Sequence, residues 1–284
     1  MLIVSMIAPP GGLDPALVAS LQGAFGGGEA LWLSPDEAAE FPVAARPGNL
    51  ENVRASLTAM KVDLNCLPAR NRRKKLLIAD MDSTMIGQEC IDELAAEAGV
   101  GDRVADITAR AMNGELDFEA ALIERVGLLR GLPVSIIAEV VEDRITLAPG
   151  GETLVATMKA HGARAALVSG GFVQFTRVIG ARLGFHETRA NTLLEDGGKL
   201  TGDVARPILG REAKVDALRQ LAADPKDAIA VGDGANDLGM IGLAGMGVAL
   251  HAKPVVAAAA PLRIDHGDLT ALLYLQGYGC DDFV

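Results

Sequence analysis

The segment Leu76-Leu77-Ile78-Ala79-Asp80-Met81-Asp82-Ser83-Thr84 decides the fold of this chain. Its first four residues are apolar and predict a short buried strand, and two aspartates follow directly. Further apolar runs occur at residues 163–168, 228–231 and 246–250, with helix-forming stretches between them. Strands that alternate with helices in this way indicate an α/β protein with a doubly wound parallel sheet.

Ligands of such sheets bind at the carboxyl ends of the strands, so the residues that follow each strand matter most. The second apolar run is followed by Ser169-Gly170-Gly171, and the third by Gly232-Asp233-Gly234-Ala235-Asn236-Asp237. Lys214 lies between these two motifs, in a helix predicted over residues 211–221. We therefore expect these polar groups to meet in one crevice.

The predicted crevice is rich in carboxylates: Asp80, Asp82, Asp233 and Asp237 carry four negative charges if all are ionised. Two carboxylates about 4 Å apart repel by roughly 4 kcal/mol at an effective dielectric constant near 20. Lys214 supplies one balancing charge, and the all-oxygen donor set selects a hard divalent cation, with Mg²⁺ the first choice. A metal beside a lysine and free backbone N–H groups forms a site for a phosphoryl group.

Each of these motifs alone has an ordinary structural explanation. An aspartate at a strand end often forms a turn or caps a helix, and the serine motif could do the same. A lone lysine most often lies at the surface. The three motifs occur in order on the expected side of one sheet, and this arrangement favours a functional site.

The motifs DMDST (residues 80–84), Ser169-Gly-Gly, Lys214 and GDGAND (residues 232–237) resemble those of the haloacid dehalogenase superfamily, specifically its aspartate-nucleophile phosphatases. The resemblance covers about residues 76–275. It is closest to the phosphoserine phosphatases of that superfamily, in residues 80–95, 190–204 and 231–250. It implies a core of the haloacid dehalogenase type with a helical cap inserted after the first core strand.

The resemblance also implies roles for the acidic residues. Asp80 is the expected nucleophile, and Asp82 the expected general acid and then base. One Mg²⁺ per active site would be held by the Asp80 carboxylate, the Asp82 backbone carbonyl and Asp233. Asp237 would support the metal-bound waters or Lys214.

The same resemblance implies a set of phosphate contacts. Ser169 and the Gly170 N–H would bind phosphate oxygens, while Lys214 would neutralise both the nucleophile and the phosphate. Asn236 would contact the substrate. The implied reaction is phosphoryl transfer to water by in-line displacement.

The long stretch between the first two core strands, about residues 87–161, exceeds what a simple crossover needs. Its helix-forming residues predict a cap that closes over the site and excludes water. Phosphoserine carries a carboxylate, which the planar fork of Arg125 matches, and an ammonium, which Glu89 matches. Both align with substrate-recognition positions of the resembling family, and Phe118 aligns with an apolar wall. Without the resemblance, these three residues would be interpreted as a surface charge, a helix cap and a core residue.

We predict two domains. Residues 1–72 form a small α+β domain with about three strands and a helix that starts at Ser34-Pro35-Asp36-Glu37. The resemblance to phosphoserine phosphatases, some of which carry ACT-like extensions, makes an ACT-like domain one expectation for this segment. Residues 73–284 form the phosphatase domain. The basic run Arg72-Arg73-Lys74-Lys75 near the boundary is interpreted as a solvated linker.

Composition excludes several classes of protein. The 284-residue chain has a formal net charge of -11, which argues against a general nucleic-acid surface. Three cysteines without CxxC spacing argue against a disulfide scaffold or a thiolate zinc site. No apolar run approaches the ~18–20 residues of a membrane span, so we expect a cytoplasmic protein without a membrane partner. A homodimer is left open.

The leading hypothesis is Mg²⁺-dependent hydrolysis of O-phospho-L-serine to L-serine and phosphate through an aspartyl-phosphate, the last step of serine biosynthesis. One alternative is action on another small phosphomonoester, such as phosphohomoserine. A second, of another class, is a non-catalytic regulator that senses an amino acid.

Overall fold

A computed structural model describes residues 1–112 and 116–284 of the chain. The expected cap therefore includes residues 113–115, which lie outside the described residues. The N-terminal elements, in chain order, are β1 (Leu2–Ile7), α1 (Pro15–Ala24), β2 (Leu31–Ser34), β3 (Ala38–Val43), α2 (Leu50–Leu57) and β4 (Asp63–Pro68). They form one antiparallel sheet with the strand order β2-β3-β1-β4.

The expected helix start at Ser34–Glu37 is wrong. Ser34 ends β2 and residues 35–37 form the turn to β3, and the N-terminal sheet has four strands rather than about three. Asp36 adopts a positive φ of 51°, a conformation that a turn accepts and a helix does not. The hydroxyl of Ser34 donates to Glu37 Oε2 at 2.8 Å, so the capping-type residues stabilise a hairpin.

The second part of the chain contains the parallel sheet. Its elements are β5 (Leu76–Ala79), α3 (Cys90–Glu97), α4 (Gly101–Met112), α5 (Phe118–Gly127), α6 (Ser135–Asp143), α7 (Gly151–Ala160), β6 (Arg164–Phe172), α8 (Val173–Leu183), β7 (Glu187–Asn191), β8 (Leu193–Asp196), β9 (Lys199–Val204), α9 (Arg211–Leu221), β10 (Ala228–Gly232), α10 (Leu238–Leu243), β11 (Met246–Leu250), α11 (Pro254–Ala259), β12 (Leu262–Ile264) and α12 (Ala271–Leu275). Six parallel strands have the order β12-β11-β10-β5-β6-β7, which confirms the predicted α/β fold with a doubly wound sheet.

The sheet is buried between helices because its central strands are apolar throughout. All four residues of β5 and all five residues of β10 are buried. Side chains of alternate β5 residues belong to two different core clusters, with Leu77 in one and Ile78 in the other. This double burial is the physical reason why the strands appear in the sequence as continuous apolar runs.

Helices α3 to α6 lie between β5 and α7 in the chain and form the helical insertion. The antiparallel β8–β9 hairpin supports it, because Gly131 N donates to Leu200 O at 2.8 Å and Leu200 N donates to Leu132 O at 2.9 Å. Helix α7, which also falls within residues 87–161, contacts β6 and buries Leu154 and Met158 in the main core. The helices that cover the strand ends are thus α3 to α6.

The N-terminal domain docks on the edge of the parallel sheet through buried polar groups. The side-chain amide of Asn65 in β4 donates to Arg263 O at 2.8 Å and accepts from Arg263 N at 3.1 Å in β12. Arg72 forms two hydrogen bonds, of 2.8 and 2.6 Å, with the Glu40 carboxylate of β3. The basic run is therefore only partly a solvated linker, since Arg72 is a fixed contact between the domains.

Among residues 1–112 and 116–284, no helix is both long and apolar enough to cross a membrane.

Candidate active site

The site lies where β5 is flanked by β10 on one side and β6 on the other. In the parallel register, Ala79 is opposite Val231 of β10 and Leu167 of β6. The Asp80 N–H continues this ladder and donates to Val231 O at 3.0 Å. The predicted motifs therefore meet at one edge of the sheet, but Ser169-Gly170-Gly171 lies within β6, which extends to Phe172, and does not follow a strand that ends at residue 168 as predicted.

Lys214 occupies the centre of the acidic site. Its Nζ lies 2.7 Å from Asp80 Oδ2 and 2.6 Å from Asp237 Oδ1. The side chains of Lys214 and Asp237 are 0% exposed and that of Asp80 is 7% exposed. Burial alone lowers the pKa of Lys214, but the two carboxylates outweigh it and raise that pKa above its ordinary value. The lysine therefore stays charged and holds both carboxylates in place.

Asp80, Asp233 and Asp237 each offer a carboxylate oxygen, and the three oxygens lie within 4.8 Å of one another. Thr84 Oγ1 donates to Asp233 Oδ1 at 3.3 Å and orients that carboxylate. Desolvation and the nearby charge of Asp80 raise the pKa of Asp233, and likewise that of Asp237, to about 7. Carboxylates crowded in this way, with oxygen donors only, suit a hard divalent cation.

Asp82 faces the same space from the other side of Asp80. Its Oδ1 accepts from Cys90 N at 3.0 Å, at the start of α3, and its Oδ2 accepts from Ser169 Oγ at 3.4 Å. Desolvation and then the negative charge of Glu89 raise the pKa of Asp82 to about 7. The carboxyl can hold or release a proton near neutral pH, which is what a general acid and base requires.

The serine motif lies beside Asp82. Ser169 is completely buried, and its Oγ accepts from Gly171 N at 2.8 Å. A Cβ at Gly171 would lie 2.6 Å from Asp82 Oδ2, so any larger residue here would displace the Asp82 carboxylate. Asn191 positions this end of β6, since its Nδ2 donates to Gly170 O at 2.8 Å.

The cap provides the mouth of the site. Glu89 directly precedes α3, and its Oε1 accepts from Ser83 Oγ at 2.7 Å. Although its side chain reaches solvent, desolvation by the surrounding protein and the charge of Asp80 raise the pKa of Glu89. Arg125 of α5 is half-buried, and burial lowers its pKa while Asp92, Glu89 and Asp82 attract its charge.

Phe118 begins α5 and stands at the edge of this mouth, with 38% of its surface exposed. A Cβ at Gly170 would lie 3.2 Å from Phe118 Cζ and 3.9 Å from Asn236 Nδ2. The aromatic ring, the glycine and the amide therefore converge. The structure brings all the sequence-predicted site residues to one crevice between core and cap.

Sequence reasoning missed four contributors. Thr84 and Gly171 lie inside the strand-end motifs, but the contact of Thr84 with Asp233 and the close approach of Gly171 to Asp82 depend on the fold. The only sequence signal for Asn191 is that it lies within residues 190–204, which resemble the phosphoserine phosphatases. Lys253 follows β11, and its positive charge lowers the pKa of both Glu89 and Asp233.

Comparison with known proteins agrees with this geometry. The family model of haloacid dehalogenase-like hydrolases matches residues 77–242. Phosphoserine phosphatase of Streptomyces coelicolor is 42% identical over 253 residues, which are 86% of this chain and 61% of that protein. Phosphoserine phosphatase of Lactococcus lactis is 44% identical over 204 residues, 70% of this chain and 94% of that protein.

A solved structure named as a phospho-aspartyl intermediate analogue of phosphoserine phosphatase matches with a TM-score of 0.66 and 41% identity. It covers 71% of this chain and 98% of that one. The chain spans less than two thirds of the length of the Streptomyces relative. The match to the Lactococcus protein nonetheless covers nearly the whole length of that protein. The chain therefore belongs to the phosphoserine phosphatase family of haloacid dehalogenase-like hydrolases.

Proposed function

We propose that this chain is a Mg²⁺-dependent phosphoserine phosphatase that hydrolyses O-phospho-L-serine to L-serine and phosphate. The observation that carries the proposal is the buried Asp80–Lys214–Asp237 group beside Asp82, a second carboxyl whose pKa is about 7. One carboxylate is paired with a lysine while its neighbour can carry a proton, and a nucleophile and a general acid require this division. The relatives' names support the substrate.

The donor set fits a magnesium ion. The Asp80 carboxylate and Asp233, with the backbone carbonyl of Asp82, would hold it, and Asp237 would support it through Lys214. Mg²⁺ would neutralise charge on the phosphate oxygens and orient the phosphoryl group toward Asp80. Without that cation, the carboxylates would repel a phosphate dianion.

The first chemical step is attack of an Asp80 carboxylate oxygen on phosphorus. The bond from phosphorus to the serine oxygen breaks, and Asp82 donates its proton to that oxygen, which leaves serine and an aspartyl-phosphate. Asp82, now ionised, then takes a proton from water as the water attacks phosphorus. The bond from phosphorus to Asp80 breaks and free phosphate is released. The structure named as a phospho-aspartyl intermediate analogue supports this course.

Three groups would bind the phosphoryl oxygens during both steps. The Ser169 hydroxyl and the Gly170 N–H would donate hydrogen bonds, and Lys214 would add positive charge opposite the metal. These donors are fixed by buried contacts before substrate arrives, so little reorganisation accompanies the reaction.

The mouth residues favour an amino-acid substrate over a sugar. Arg125 would pair with the substrate carboxylate and Glu89 with its ammonium, while Phe118 and Asn236 would enclose the short carbon chain. A sugar phosphate offers no such pair of opposite charges. Phosphohomoserine, one methylene longer, is the second candidate. The proposed reaction would complete serine biosynthesis in the cytoplasm.

Phosphate release from phosphoserine, measured with Mg²⁺ and with a chelator, tests the proposal on the wild type, Asp80→Asn and Asp216→Asn. Asp216 is a matched control because its side chain is 60% exposed on α9, away from the site. We expect release from the wild type and Asp216→Asn with Mg²⁺ only, and none from Asp80→Asn. Equal rates of hydrolysis of phosphoserine and sugar phosphates would refute the assignment of phosphoserine as the substrate. A wild type that is inactive on every phosphomonoester would favour the alternative of a non-catalytic regulator that senses an amino acid.

A further inference from the structure

A cleft of about 340 Å³ separates the N-terminal domain from the edge of the parallel sheet, away from the active site. Residues of α2 and β4 line one side, and residues of α11 and β12 line the other. Six of its lining side chains are cationic and one, that of Glu51, is acidic. The cationic residues are Arg46, Arg54, Arg70, Arg72, Lys74 and Arg263. In a chain of net charge -11, such a concentration of positive charge calls for an anionic partner.

The acidic residue of the cleft is shared between two arginines. Glu51 lies 3.0 Å from an Arg46 nitrogen and 2.5 Å from an Arg54 nitrogen. Arg54 is 7% exposed, and its Nε donates to Leu64 O at 2.8 Å, so the guanidinium cannot turn away into solvent. Burial lowers the pKa of Arg54, and the nearby charges of Arg263 and Arg46 oppose its protonation further. Glu40 pairs with Arg72 and Asp265 with Arg263, whereas Glu51 alone is shared by the two guanidinium groups of Arg46 and Arg54.

Arg263 contributes a donor that the protein leaves unused. Its Nε is buried and has no hydrogen-bond partner within the part of the chain that the structure describes. Asp265 Oδ2 lies 2.9 Å away, but the pair lacks hydrogen-bond geometry and acts only as an ion pair. Because this Nε–H has no contact with solvent in the cleft, an anion there would be bound by the terminal nitrogens of the guanidinium, which lines the cleft.

Apart from Asn71, the rest of the lining is apolar or glycine and includes Leu67, Met246 and Pro261. A cavity of this size falls in the range of small-molecule sites, about 300–1,000 Å³, and is too small for a nucleic acid. Arginine forks match carboxylate and phosphate groups, while the apolar lining suits a carbon body. We propose that this interdomain cleft binds a small organic anion, with its carboxylate or phosphate between Arg46 and Arg263 and its non-polar part on the β11–β12 side.

Such a ligand would contact both domains, so its binding would stabilise their docked arrangement. Lys74, whose Nζ donates to Lys226 O at 2.7 Å, lies in this cleft just before β5, the strand that leads to Asp80. The site is separate from the phosphoryl chemistry. Binding there can therefore succeed or fail independently of phosphoserine hydrolysis.

Calorimetric titration of the full chain tests the proposal with three probes, namely glutarate, adenosine monophosphate and inorganic phosphate. The variants are Arg46→Gln and Arg263→Gln. The matched control is Arg219→Gln, whose side chain is 61% exposed and pairs with a carboxylate on the outer face of α9. Melting temperatures without ligand verify that each variant is folded.

We expect glutarate or adenosine monophosphate to bind the wild type, and both cleft variants to weaken that binding at least about ten-fold. Arg219→Gln should bind as the wild type does. Binding of glutarate alone or of the nucleotide alone identifies the anionic group as carboxylate or phosphate. The proposal is overturned if neither organic probe binds below about 10 mM, or if binding is unchanged in both cleft variants, which would place it elsewhere. Binding of inorganic phosphate as tight as that of the nucleotide would overturn the role of the apolar lining.

Discussion

Replacement of Lys214 by methionine removes the cation that joins Asp80 to Asp237 while it keeps much of the side-chain volume. The two carboxylates then face each other within 4.8 Å without compensation. At an effective dielectric constant of about 20, two charges at that separation repel by about 3.5 kcal/mol. Removal of one partner from a buried ion pair costs about 3–5 kcal/mol, so we expect a loss of about 4 kcal/mol in the free energy of unfolding.

The loss should depend on pH. The pKa of Asp237 is already about 7 in the intact group, mainly because it is desolvated. A carboxyl with a raised folded-state pKa binds a proton that the unfolded chain releases, so its contribution to stability falls as pH rises through that pKa. Without the lysine this pKa rises further, and the destabilisation should be larger at pH 8 than at pH 6.

Urea unfolding of metal-free protein at both pH values measures this effect. Lys75→Met is the control, because Lys75 Nζ lies 2.8 Å from Asp227 but the lysine side chain is 77% exposed. We expect no measurable change for that variant. For Lys214→Met, phosphatase activity should also fall at least about 100-fold. A destabilisation below about 1 kcal/mol, or one that is the same at pH 6 and pH 8, would refute the reasoning about the buried group.

Three further predictions concern the site. Gly171→Ala should lower kcat for phosphoserine at least about ten-fold, because the new Cβ would lie 2.6 Å from Asp82 Oδ2. Gly242→Ala is the control, since a Cβ there meets nothing within 4 Å, and it should keep the wild-type rate in the same assay. Mg²⁺ should raise the melting temperature more at pH 8 than at pH 6, because protons compete with the metal for Asp233, whose pKa is about 7 in the metal-free site. Equal increases in melting temperature at the two pH values, measured by scanning fluorimetry, would contradict this. Arg125→Ala should raise KM for phosphoserine at least about ten-fold, while p-nitrophenyl phosphate, which has no carboxylate, should be hydrolysed about as before; a parallel loss on both substrates would argue against carboxylate recognition.

Much of the core and of the site could be predicted because each strand is a short apolar run that ends at a polar motif. The bounds of β5, β11 and α9 agree with the predicted ones. Strand β7 was missed because it is Glu187–Asn191, a polar edge strand with one fully buried residue. Strand β12 was missed because it has only three residues, too few for a periodic signal.

Features that depend on long-range docking left no pattern in the sequence. Arg72 was interpreted as part of a solvated linker, since nothing local shows that Glu40 will face it across the domain interface. Arg46 and Arg263 are more than 200 residues apart in the chain, and only the docking of β4 against β12 brings them to one cleft. The raised pKa of Asp82 likewise results from burial under the cap, which composition cannot predict.

The central claim is that Asp80 carries the phosphoryl group during turnover. Rapid acid quench of the wild type with phosphoserine and Mg²⁺, followed by mass spectrometry of its peptides, tests this directly. We predict the mass increase of one phosphoryl group on the peptide that contains Asp80, present during turnover and absent in Asp80→Asn. Turnover with no such modification, or phosphorylation at another residue that persists in Asp80→Asn, would contradict the account.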